Sequence, residues 1–140
     1  ATEIEMIEKK HRIDDALEAV RSAQEEGIVA GGGVALIRAI EDIEIETDNK
    51  DQAAGVSIIL EAIQEPIRQM ALNASYSPDL VTAMVEEAQD HYGYNFVTGE
   101  ITDLLEAGVI DPAKVTRVAL QNAASVATAL ITSGHAIIEI

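Results

Sequence analysis

Cysteine and tryptophan are both absent from this 140-residue sequence, and phenylalanine occurs once. Without cysteine there is no disulfide framework and no thiolate to serve as nucleophile or metal ligand. Aromatic residues amount to only 3%. The core must therefore come from alanine, isoleucine, valine and leucine, a composition suited to helices packed closely through small side chains. Positive charge is scarce as well. Nine Lys and Arg stand against 25 Asp and Glu, the net charge is −16, and beyond Arg68 only Lys114 and Arg117 are basic. Such a field repels a phosphate backbone, which excludes nucleic acid as a partner. No apolar run approaches the roughly 18 residues of a membrane helix, and no signal-peptide pattern opens the chain. The expectation is a cytoplasmic protein with no membrane partner.

What remains is a folding sequence. Hydrophobic residues make up 48%, too many for a disordered acidic tail. A chain of this length holds one domain with a real core, with or without a projecting arm. The stretch around which it is organised runs Ile28-Val29-Ala30-Gly31-Gly32-Gly33-Val34-Ala35-Leu36-Ile37. Inside a helix each of those glycines would cost about 0.8–1 kcal/mol relative to alanine, so they mark a joint. There the backbone turns with positive φ or lets something approach closely. A glycine-rich turn feeding a helix offers unpaired N–H groups and the positive end of a dipole, a seat for an anion. The spacing is not that of the lysine-bearing phosphate loop, so on spacing alone a plain tight turn between two helices is the favoured reading.

The remaining chain reads as mainly helical. From Thr2 to Glu26, Ile13, Ala16, Leu17, Val20 and Ala23 recur at helical steps. Glu5–Lys9 and Glu8–Arg12 are i,i+4 pairs in the favourable orientation, and Gly27 stands at a C-cap position. This helix would be about 35 Å long, so its first half is expected to project. A second helix is predicted from Val34 to about Glu46 and a third after a cap at Asp51. A short fourth follows Pro66 with Ile67, Met70 and Ala71 inward, and a fifth runs from Pro78 to Ala88 behind Ser77. His91 to Gly99 carries three of the four aromatics and alternates as a short hairpin near 92–98. Ile101 to Ala107 reads as a short helix closed by Gly108. Asp111-Pro112 reads as the cap of a long last helix with Val115, Val118, Ala119, Ala123, Val126, Ala127 and Leu130 inward. His135 to Ile140 reads as an unpaired edge strand. The chain begins in mid-helix without methionine and stops in mid-strand, as an excised piece would.

Chemistry is harder to place from spacing. Asp14 and Asp15 lie on the first helix, where Asp15 points nearly opposite Leu17. A solvated charge and a carboxylate that orients water across a cleft are both open readings. His11, His91 and His135 lack ligand spacing, and no metal site is assigned. The Tyr92–Phe96 aromatics read as packing, and Asp111 first as a helix cap.

Several separate stretches nevertheless agree on one family. Ala1-Thr2-Glu3-Ile4-Glu5-Met6, Arg12-Ile13-Asp14-Asp15-Ala16-Leu17, Glu26 through Leu36, Tyr92-Gly93-Tyr94-Asn95 and Asp111-Pro112-Ala113-Lys114-Val115-Thr116-Arg117 resemble the C-terminal part of group I chaperonins of the GroEL type. The order and spacing extend from Ala1 to about Thr132. The resemblance implies that residues 1–26 are the returning segment of the intermediate domain and 27–140 the C-terminal half of the equatorial domain, an all-α helical bundle that binds ATP with Mg²⁺ and K⁺. It implies that Asp15 is the catalytic aspartate that swings over the nucleotide, and that Gly31 and Gly32 lie against it. Asn95, Phe96, Val97 and Val109 would border the adenine, with Asp111 on the ribose or base edge. Phe96 and Val97 stand where the family has small alanines.

The implied partners are further copies in seven-membered rings, a co-chaperonin lid and unfolded client proteins. The family's phosphate-gripping Gly-Asp-Gly-Thr-Thr loop and its apical domain belong to parts of the family outside these 140 residues. The chain by itself is therefore expected to bind no cofactor tightly and to show no useful ATPase activity. A stand-alone helical self-association module without nucleotide binding is the alternative.

Overall fold

The computed structural model describes residues 2–41 and 43–135. Most of them are helical, with a few short strands between the helices. The chain divides into two compact units, Ile28–Asp111 and Ala1–Gly27 with Pro112–Ile140. No helix among the described residues is long and apolar enough to cross a membrane. The expected edge strand lies, apart from His135, outside the described residues.

In the Ile28–Asp111 unit, β1 (Ile28–Ala30) leads through the glycine turn into α2 (Val34–Glu41). Three helices follow, α3 (Lys50–Ala62), α4 (Glu65–Asn73) and α5 (Pro78–Glu87). β2 (Tyr92–Asn95) and β3 (Glu100–Asp103) form an antiparallel hairpin in which Tyr92 faces Asp103 and Asn95 faces Glu100. β4 (Ile110–Pro112) pairs with β1 in a separate two-stranded ribbon. Apolar residues three or four apart put Val34 and Ile37 of α2, Ile67 and Ala71 of α4, and Val81 and Val85 of α5 on one core, closed by Tyr94 and Leu104. Ile37, Ile67, Leu104, Val34, Val81 and Val85 lose essentially all of their exposure, each contributing about 1.5–3 kcal/mol.

Helix ends in this unit are closed by specific groups. Asn49 caps α3, its side chain accepting from the Gln52 N–H at 2.9 Å, and the expected cap Asp51 falls in the first turn. Ser77 and Pro78 open α5 as expected, although the Ser77 hydroxyl makes no capping bond. α4 ends with Ser75 at φ +64°, and the Tyr76 N–H returns to the Ala71 carbonyl at 2.9 Å. Arg38 reaches from α2 to the carbonyls of Val85 (2.7 Å) and Asp90 (3.1 Å), satisfying the end of α5.

Two predicted helices differ from the structure. α2 stops at Glu41, not near Glu46: Ile43-Glu44-Ile45-Glu46 alternates with period two, against the helical repeat, and belongs to no helix or strand. Residues 101–107 are no helix: Glu100–Asp103 pairs with β2, and the Asp103 carboxylate accepts from the Leu105 and Glu106 N–H groups to start the turn that follows.

The other unit holds α1 (Glu3–Glu26) and α6 (Ala113–Thr132). Thr2 and Glu5 form a reciprocal capping box at the start of α1, which Gly27 ends at φ +82°. The Glu8–Arg12 pair forms at 2.6 Å, whereas Glu5 turns back to the Thr2 N–H and away from Lys9. Arg117 grips both carboxylate oxygens of Glu26 at 2.6 and 2.9 Å, and Lys114 pairs with Glu25. No residue of α1 or α6 is buried among the described residues. Val115, Val126 and Leu130, expected inward, stand exposed. Periodicity identifies a face that favours burial; it does not supply the surface that covers it.

Candidate functional site

Three separate stretches meet at the glycine turn, and the glycines have three different reasons to be there. Gly31 donates its N–H to the Val109 carbonyl at 2.9 Å. A Cβ on it would lie 3.1 Å from that oxygen and 3.2 Å from the Ile110 nitrogen, so the missing side chain admits the 109–110 backbone. Gly33, at φ +79°, would push a Cβ to 3.2 Å from Ile67 and Met70, so its small size lets α4 pack on the turn. Gly32 has φ +65°, a left-handed conformation that favours glycine, yet its nearest neighbours are the Leu104 side chain and the Tyr94 carbonyl, both at 3.9 Å. That middle glycine is therefore needed for its backbone conformation, since a Cβ on it would meet only ordinary van der Waals contacts.

The turn carries the electrostatics of a helix start. The Val34 N–H closes onto the Gly31 carbonyl at 3.2 Å, whereas the N–H groups of Gly32 and Gly33 have no backbone acceptor among the described residues. Unpaired donors at the positive end of α2 are suited to an anionic group.

The hairpin supplies the second side. Gly93 sits directly over the turn's helix, where a Cβ would meet Val34 Cγ2 at 2.4 Å and Leu104 Cδ1 at 2.6 Å. Strand alternation places Gly93 and Asn95 on this face and Tyr94 on the other. The Asn95 side-chain oxygen accepts from the Val97 N–H at 3.0 Å, fixing the loop. Phe96 goes with Tyr94: their rings meet edge to face at 5.1 Å, and Tyr76 completes the cluster at 5.3 Å from Tyr94. Its bulk is thus taken up by aromatic packing within the unit. Val97, at the loop tip, is 93% exposed. The missing side chain of Gly99 (φ +76°) leaves room for the Tyr76 hydroxyl, which a Cβ would approach to 3.2 Å. Tyr76 was not anticipated as a partner of Phe96, since nothing in local sequence links positions twenty apart.

The third side is the 109–111 segment. Val109 is partly buried against the core and its N–H returns to the Leu104 carbonyl at 2.8 Å. Asp111 does not cap α6. It lies in β4 with Pro112 at the cap position, and no side-chain capping bond forms. Pairing with β1 holds the segment extended, and although Asp111 is exposed, desolvation by its surroundings raises its carboxyl above the ordinary range.

Gly31, Gly32, Asn95, Phe96, Val97, Val109 and Asp111 therefore all belong to one unit, with the glycine turn against the hairpin and the 109–110 backbone. Asp15 belongs to the other, as an exposed carboxylate midway along α1. Residues 1–139 match the profile of the TCP-1/cpn60 chaperonin family.

Proposed function

The chain belongs to the TCP-1/cpn60 chaperonin family, and on that premise we propose that it forms the base and ribose side of the nucleotide site of an ATP-driven protein-folding ring. The observation that carries this reading is the convergence at Gly32: a left-handed glycine whose N–H, like that of Gly33, has no backbone acceptor among the described residues, bordered by the Tyr94 carbonyl and one residue from the Val109 contact. In this reading the Gly32 and Gly33 N–H groups face a phosphate, Asn95 and Val97 border the base beside Val109, and Asp111 accepts from a ribose hydroxyl. Mg²⁺ and K⁺, when bound, supply the charge neutralisation on which phosphoryl transfer chiefly depends. Asp15 is assigned the positioning of the attacking water, a role for an exposed carboxylate on a long helix. The proposed partners are further copies in seven-membered rings, a co-chaperonin lid and unfolded proteins, in the cytoplasm.

The fit rests on backbone donors already in place at the turn. Backbone donors suit a phosphate because they are fixed by the fold and need no reorganisation.

The test is an amide NMR titration of the chain with Mg²⁺-ATP, with its mass followed by light scattering. Weak, saturable shifts confined to Gly31–Val34, Asn95–Val97 and Val109–Asp111 are expected. Unchanged amides at millimolar nucleotide, together with a mass above the monomer, would replace this reading with that of a self-association module.

A further inference from the structure

We draw no further inference here: the strongest candidate, the pair of apolar helix faces on which α1 exposes Ile13, Leu17 and Val20 and α6 exposes Val126 and Leu130, carries nothing because nothing in the structure shows what covers them.

Discussion

The Val109 carbonyl oxygen accepts the Gly31 N–H at 2.9 Å and would stand 3.1 Å from any Cβ placed on that same residue. The bond and the steric limit act on one atom, so a side chain here forces the 109–110 backbone away as a whole. Gly31→Ala should destabilise the Ile28–Asp111 unit by about 1–3 kcal/mol, the usual range for overpacking, read as a lowered urea midpoint. An unchanged midpoint would show that the 109–110 segment yields freely.

Gly93 is the tighter case. A Cβ there collides with Val34 and Leu104, both fully buried. Gly93→Ala should reach the upper part of about 1–3 kcal/mol. The Gly93→Ala/Val34→Ala double variant should lose less than the sum of the single losses, because the second truncation makes room for the first. Strict additivity would rule out the collision with Val34 and leave only that with Leu104.

Ser75 holds a left-handed conformation at the end of α4, which costs an L-residue with a side chain about 1–2 kcal/mol. Ser75→Gly should therefore raise the melting temperature, with a gain of up to about 1 kcal/mol after the extra chain entropy of glycine is subtracted. A lowered melting temperature would mean that the serine side chain contributes more than its backbone costs.

The bond from Arg117, followed by its charge and that of Lys114, holds the Glu26 carboxyl below the ordinary glutamate range. A depressed folded-state value means that the pair contributes stability above the unfolded value and loses it as pH falls through the folded one. The stability difference between the parent and Glu26→Gln should accordingly be present at neutral pH and vanish under acid, and it should shrink in high salt because the pair is exposed. A difference independent of pH would exclude the charge as its origin.

In an ATP-hydrolysing ring containing this sequence, Asp15→Ala should leave nucleotide binding nearly intact and slow turnover by about 10²–10⁴-fold. Steady-state hydrolysis beside equilibrium binding separates the two. Weakened binding with normal turnover of bound ATP would remove Asp15 from the chemical step.

The parts legible in the sequence were those set by local rules. The glycine joint, the Gly27 end of α1, the Ser77-Pro78 start of α5 and the inward Ile67–Ala71 face of α4 each follow from a residue's own backbone preference or spacing. What escaped depends on partners distant in sequence. Leu104-Leu105-Glu106-Ala107 has helical content, yet the strand just before it is claimed by pairing with Tyr92–Asn95. Asp111 has the sequence of a cap and loses that role because β1, some eighty residues earlier, takes the segment as a strand. In the candidate site, the conformation demanded by Gly32 could be foreseen; the close approach of Val109 to Gly31 and the use of Tyr76 to seat Phe96 could not.

Every buried apolar residue among those described, from Ala30 to Leu104, lies between Ile28 and Asp111. The backbone amides of the chain should then divide into two classes under hydrogen exchange. Those of α2, α4 and α5 open only when a shared core opens, and exchange together at the slowest rates. Those of α1 and α6 have no buried side chain to hold a turn in place, only exposed ion pairs from Glu25 and Glu26 to Lys114 and Arg117, and exchange by fraying one turn at a time. The glycine turn proposed to meet the nucleotide thus rests on the slow class, and the helix that carries Asp15 on the fast one.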